Sequence, residues 1–153
     1  MGYGLDLLYG ATSYLKVPYL VNTFAYSMPD IGKASYYLHI LGVLSTVPSA
    51  ATGAAQLRKI YSNGGLYEAD GRTMRKKMKI GLIHAAMNDM VLAAGVWTWW
   101  SRNNENYTVP GALNILVSML MLPALLWSAN LGGTMVYNYG AGLNIGKVAK
   151  KSQ

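Results

Sequence analysis

The stretch Gly81–Met90, GLIHAAMNDM, places a histidine, an asparagine and an aspartate within six residues of an otherwise apolar run. Imidazole, amide and carboxylate are the groups with which membrane helices ligate haem, bridge to one another or relay protons. On a helix, Asn88 lies one turn beyond His84 on the same face, and Gly81 lies one turn before it. Glycine at a close approach and an amide that bonds across helices are what packing in lipid uses. Asp89 points roughly 140° away from His84, on a face shared with Ala85, Ala86 and Ala93. A carboxylate near mid-membrane is costly when charged, so it is a functional residue by default, paired or protonated. For Asp89 the expectations are a helix-to-helix hydrogen bond that sets bundle register, or a part in proton or ion conduction. Asp6 is the other acid expected at membrane depth.

Haem sets a geometric test. A membrane b-type cytochrome needs two axial ligands at one depth on facing helices, and the chain has two histidines, His39 and His84. Each falls five or six residues into its own apolar segment, and consecutive spanning segments run antiparallel. At 1.5 Å per residue the two histidines sit in opposite leaflets, roughly 15–20 Å apart, and cannot share one iron. His84 therefore remains a haem b ligand only with a second ligand from upstream of Met1 or from a partner chain. Its structural alternative is a buried histidine bonded to a backbone carbonyl or a neighbouring helix. His39, behind Tyr36 and Tyr37, reads as a structural histidine near an interface.

The elements that position these residues are membrane spans. Of 153 residues 52% are hydrophobic and only 12% charged, about half the charge of an ordinary soluble domain. Three stretches, about 34–57, 80–100 and 109–139, each have the roughly 20 apolar residues that cross a hydrocarbon core of about 30 Å. Pro110 fits a first helical turn, while Pro48 and Pro123 fall inside helices, which membranes tolerate when neighbours satisfy the freed carbonyl. Residues 1–15 form a fourth apolar segment, too short to span, which reads as the latter half of a helix that begins upstream. The expected helices are about 1–15, 33–58, 76–101 and 109–139, with a basic loop at 58–79 and a basic tail at 144–153.

The net charge of +7 has a topological explanation. Arg58, Lys59, Arg72, Arg75, Lys76, Lys77 and Lys79 lie between two spans, and Lys147, Lys150 and Lys151 follow the last. If all three segments cross, these share one side, which the positive-inside rule makes cytoplasmic or matrix-like; Lys16, Lys33 and Arg102 remain on the other. Tyr36, Tyr37, Trp97, Trp99, Trp100 and Tyr107 form an aromatic belt at that far interface. Anionic headgroups suit the basic side, and nucleic acid is not needed to explain the charge. The turn residues Asn63-Gly64-Gly65 make the basic loop a solvated connection. Asn106-Tyr107-Thr108 is a formal glycosylation acceptor too close to the membrane for transfer.

Absences narrow the function. With no cysteine, disulfides, thiolate catalysis and cysteine-held zinc or iron–sulfur clusters are excluded. No H-E-x-x-H, serine-nucleophile elbow or G-K-[ST] phosphate loop occurs, and Gly2, Gly4 and Gly10 follow no strand that would suggest a dinucleotide site. The N-terminus lacks the basic start and small-residue cleavage site of a signal peptide.

The end of the last span, SANLGGTMVYNYGAGLNIG, carries Leu131-Gly132-Gly133, then Val136-Tyr137, then Gly140-Ala141-Gly142. That order resembles the closing signature of the DUF2231 family of uncharacterised four-helix membrane proteins. HAAMND resembles the family's third-helix His-Ala with an asparagine four residues on, and Gly53 also fits. The resemblance covers nearly the whole chain and is closest to a fungal branch. Family members open with a histidine- and proline-containing stretch that this sequence lacks, in keeping with a segment upstream of Met1. Some relatives are fused to a Rieske domain, which implies redox company.

Together these readings give an all-α polytopic transmembrane bundle of four helices, the first truncated. The leading function is a non-enzymatic accessory or oligomer-forming membrane subunit, with the bilayer and further subunits as partners. In that reading Gly81, Ala85, Asn88 and Asp89 are satisfied by neighbouring helices. The alternative is a haem-b electron carrier through His84, and the third is Asp89-dependent conduction.

Overall fold

The computed structural model describes residues 1–104 and 109–140, with Asn104 as backbone only. The acceptor sequence Asn106–Thr108, Gly142 and the tail lysines Lys147, Lys150 and Lys151 lie outside the described residues. Helix α1 spans Gly2–Ser13, α2 Pro18–Phe24, α3 Met28–Ser62, α4 Lys76–Asn104 and α5 Ala112–Tyr137. A three-residue 3₁₀ turn, Ala25–Ser27, joins α2 to α3, so one helical stretch runs from Pro18 to Ser62. Counted that way the chain is an all-α bundle of four helical segments. Three of them are long and apolar enough to cross a membrane. The only pairing of extended backbone among the described residues is the isolated bridge Tyr67–Met74.

Local sequence explains the boundaries. Lys16 sits at φ 49°, the left-handed conformation that ends a helix, and Pro18 then starts α2 at the position where a missing N–H costs nothing. Residues 16–32 fall outside the helices expected from sequence; the structure adds α2 there and begins α3 at Met28 rather than about 33. Asp30 in the first turn of α3 complements the helix dipole, which favours that earlier start. Helix α5 starts later than expected. Gly111 is its cap, and its N–H donates to Asn114 Oδ1 at 3.0 Å, the reach-back half of a capping box. Pro110 thus precedes the helix instead of sitting in its first turn.

Burial is inverted relative to a water-soluble fold. Asp6, Thr12, Ser35, His39, Thr98, Arg102, Asn114, Ser118 and Ser128 are buried, whereas the buried large hydrophobic side chains are Tyr3 and Met78. Leu41, Leu44 and Val47 on α3 and Leu116, Met119 and Leu120 on α5 stand exposed. Water would penalise that arrangement by the area left uncovered; lipid, as apolar as leucine, does not. The buried carboxyl, guanidinium and serine groups bond to one another because hydrocarbon offers them no partner, while the hydroxyls of Thr46 and Thr52 bond carbonyls of their own helix.

The described chain falls into two compact units, Met1–Val47 with Asp89–Leu125, and Pro48–Asn88 with the residues from Leu126 on. In the first, α1 is held against three helices. Tyr3 donates its hydroxyl to Val91 O of α4 at 2.8 Å, Gly2 lies against the His39 ring of α3, and Gly10 meets Ile115 of α5. A Cβ on Gly10 would come within 2.7 Å of Ile115 Cγ2, so only glycine lets the backbone of α1 approach this closely. The second unit contains the basic loop, which is a built turn. Glu68 N–H bonds Thr73 O and Arg75 N–H bonds Leu66 O, while Asp70 accepts from the backbone N–H groups of Arg72 and Thr73 and from the Thr73 hydroxyl. The Asp70 carboxyl is held below the usual carboxylate range by the Thr73 hydroxyl first and by those two N–H groups next.

Candidate functional site

The residues brought together most tightly are ones that composition leaves scattered across four segments. Asp6 of α1, Ser35 and His39 of α3, Arg102 of α4 and Ser118 of α5 converge in the first unit, and all are buried. Ser35 Oγ and Arg102 Nη1 donate to Asp6 Oδ1, the arginine at 3.2 Å. His39 Nε2 and Ser118 Oγ donate to Asp6 Oδ2, each at 2.8 Å. Arg102 is itself shared: Nη1 reaches Ser35 Oγ at 3.1 Å and Nη2 the carbonyl of Gly32 at 2.7 Å. Its guanidinium also lies 5.4 Å from the centroid of Tyr36, and Tyr3 meets the His39 ring edge-on at 4.7 Å.

Helix periodicity explains the convergence. Ser35 and His39 are one turn apart on α3, so both point the same way, and Gly32 is nearly a turn before Ser35. Arg102 falls one turn after Thr98 and presents its fork towards that same face of α3. Asn114 donates to Ser101 Oγ at 3.0 Å, tying α5 to α4 one turn before Ser118.

The chemistry follows from counting lone pairs. A carboxylate offers about four acceptor sites, and Asp6 receives four donors, one of them cationic. No acceptor capacity is left for a substrate proton or a metal. Among the described residues no group of three or more His, Cys, Asp or Glu side chains is placed to hold a metal. The cluster is therefore a charge-compensated joint between four helices.

The residues singled out by sequence lie elsewhere, apart from Asp6. His84 belongs to the second unit, where Nδ1 is 2.8 Å from Ser128 O and Nε2 is 3.1 Å from Asn88 Nδ2. A carbonyl acceptor requires the proton on Nδ1, which leaves Nε2 to accept from the amide. Asn88 also donates to His84 O on its own helix. Gly132 packs on the same imidazole, where a Cβ would stand 2.9 Å from Cε1, and Gly81 approaches Leu57 and Met135. One glycine of the Leu131-Gly132-Gly133 element thus contacts the histidine of HAAMND, whereas Gly133 has open space. Val136 and Tyr137 are exposed at the end of α5, and Gly140 follows with φ 60°.

Asp89 does not meet a neighbouring helix. It is exposed, with no hydrogen bond or ion pair among the described residues, in an open groove of about 560 Å³ with Leu92, Ala93, Val96, Trp97 and Trp100. Arg102, counted by sequence as an interfacial charge, is instead buried as the counter-ion of Asp6. The signal for this was present but faint: one acid in the apolar first segment and one base just past an apolar span, the base with Glu105 only three residues on as a nearer acid in sequence.

No characterised protein and no solved structure matches the chain significantly. A family described as predicted membrane proteins, DUF2231, matches residues 15–144, which take in α2 to α5 and both the HAAMND and the Leu-Gly-Gly segments. The three apolar spans, the inverted burial and that match agree: the chain is a membrane protein of the DUF2231 family.

Proposed function

We propose that the chain is a non-enzymatic membrane subunit, an accessory or oligomer-forming scaffold whose four helical segments are locked by the Asp6–Arg102 cluster. The observation that carries this reading is the saturated carboxylate. A catalytic or proton-carrying acid needs a free lone pair and a path, and Asp6 has every acceptor site engaged by its own protein. Buried ion pairs of this kind serve geometry, because stranding either partner is costly while the intact pair adds little net stability. The basic loop and the tail fit the cytoplasmic or matrix side, with anionic lipid against Arg72, Arg75, Lys76, Lys77 and Lys79.

Haem ligation through His84 would need Asn88 to release Nε2 and Gly132 to open room over the ring. Conduction through Asp89 would need further polar groups in line with it, and the five residues that share its groove are apolar or aromatic. The deciding experiment is purification from the native membrane in mild detergent, followed by an absorption spectrum before and after dithionite and by native mass spectrometry. A colourless protein that travels with other subunits supports the scaffold. A Soret band lost in His84→Ala, or liposomal proton flux lost in Asp89→Asn, overturns it.

A further inference from the structure

Between α1 and α3 the chain makes an arc whose helical residues are all left uncovered. No residue of α2 or of the 3₁₀ turn is buried, Tyr19 is 76% exposed and Tyr26 99%, and residues 17–29 hold no charge. In water such rings would stay uncovered, at the cost of their apolar area. Contacts within the first unit fix the level of both ends of the arc. At the first end Gly10 meets Ile115, the fourth residue of α5, and Val17 N–H returns to Ala11 O at 3.3 Å. Helix α2 therefore starts beside the end of α1 instead of running outward. At the other end Arg102 donates to Gly32 O and Tyr36 to Asn103 Oδ1, which sets residues 32–36 of α3 beside the last turn of α4. Met28 precedes Gly32 by four residues, about 6 Å along the helix axis. The headgroup layer outside the hydrocarbon is about 5–8 Å deep on each side. Both ends of the arc thus lie at the membrane boundary where α4 ends and α5 begins.

We propose that residues 17–27 are an interfacial anchor, lying in the headgroup layer at the end of the bundle where α3 begins, with Tyr19 and Tyr26 reaching the acyl boundary. A tyrosine is an apolar ring with a polar tip, which suits that boundary better than water or hydrocarbon alone. The occupant of this surface is the protein's own bilayer, because the arc starts and ends at its boundary and is continuous with the first span. Being uncharged, the segment is held by its rings and not by anionic lipid, unlike the basic loop. Thr23 follows Tyr19 by four residues and precedes Tyr26 by three, so the three share roughly one face. Anchored there, α2 pins the exit of α1 and with it the depth at which Asp6 meets Arg102. Such an anchor needs only that α3 to α5 span the bilayer, whatever assembly the chain serves.

The chain has no cysteine, so Thr23→Cys takes a nitroxide label without background and with both tyrosines in place. The full chain would be reconstituted in phosphatidylcholine vesicles. Collisions of the label with oxygen, which partitions into acyl chains, and with a water-soluble nickel chelate would be read by electron paramagnetic resonance. Ala69→Cys in the basic turn is the water reference and Leu120→Cys on α5 the acyl reference, both positions being exposed in the fold. The expected reading at Thr23→Cys is intermediate. Nickel collisions should fall several-fold below those at Ala69→Cys and stand several-fold above those at Leu120→Cys, and should not change when phosphatidylglycerol replaces part of the lipid. Adding Tyr19→Ser and Tyr26→Ser should raise them several-fold towards the water reference. A reading equal to either reference overturns the anchor, as does indifference to the loss of both tyrosines. A label shielded from both reagents overturns it in favour of a covering protein surface, and a requirement for phosphatidylglycerol overturns it in favour of charge.

Discussion

Replacing Arg102 by methionine tests whether the cluster is a joint. Methionine fills similar space but removes the donor to Asp6 Oδ1, the donor to Ser35 Oγ and the donor to Gly32 O in one step. Asp6 is then left in a fully buried site with the Ser35, His39 and Ser118 donors and without its guanidinium. Breaking a buried ion pair from one side costs about 3–5 kcal/mol, because the remaining charge has already been desolvated. Arg102→Lys keeps a positive charge but not the fork, so it cannot serve Asp6 and Gly32 O together. Its expected cost is one hydrogen bond from a charged group, about 1.5–3 kcal/mol. Asp6→Asn strands the arginine and should cost as much as Arg102→Met. The double variant leaves neither charge unpaired and should recover at least about 2 kcal/mol against the sum of the singles. The assay is SDS titration in mixed micelles followed by tryptophan fluorescence, since Trp97, Trp99 and Trp100 lie within two turns of Arg102. A cost for Arg102→Met below about 0.5 kcal/mol, or a strictly additive double variant, would refute a joint built on this pair.

Three further outcomes follow from single contacts. The Thr98 hydroxyl is buried with no partner among the described residues, so the isosteric Thr98→Val should be neutral or stabilising by up to about 1 kcal/mol in the same titration. Gly132→Leu should push the His84 ring off Ser128 O, read as a shift of the imidazole resonances by NMR, whereas Gly133→Leu, facing open space, should leave them in place. The Asp70 turn should hold as pH falls past the ordinary carboxyl value of 3.8 and open only below it. A carboxyl lowered in the folded state contributes its stability above the unfolded value and loses it as pH falls through the folded one. Hydrogen exchange at the Arg72 and Thr73 amides reads this, and Thr73→Val should move the opening to higher pH.

Much of the architecture was legible without coordinates. Lipid imposes its constraint along each helix separately, so three apolar runs of spanning length, sparse charge and mid-helix prolines determine a membrane bundle from composition and order alone. The same local logic ranked His84, Asn88 and Gly81 together, since residues one turn apart share a face whatever the helix packs on. Helix rotation about its axis is a different matter. Which stripe of α4 turns inward depends on what the other helices present, and the pattern of apolar residues all round a membrane helix carries little record of it. That is why Asp89 was expected to meet a neighbour and instead faces outward, while Arg102, thirteen residues on, is the charge that goes inside. The pairing of Asp6 with Arg102 spans 96 positions of sequence and is decided only when α1, α3, α4 and α5 come together. A buried charge must find its counter-charge in three dimensions, and no one-dimensional spacing rule records where that partner is.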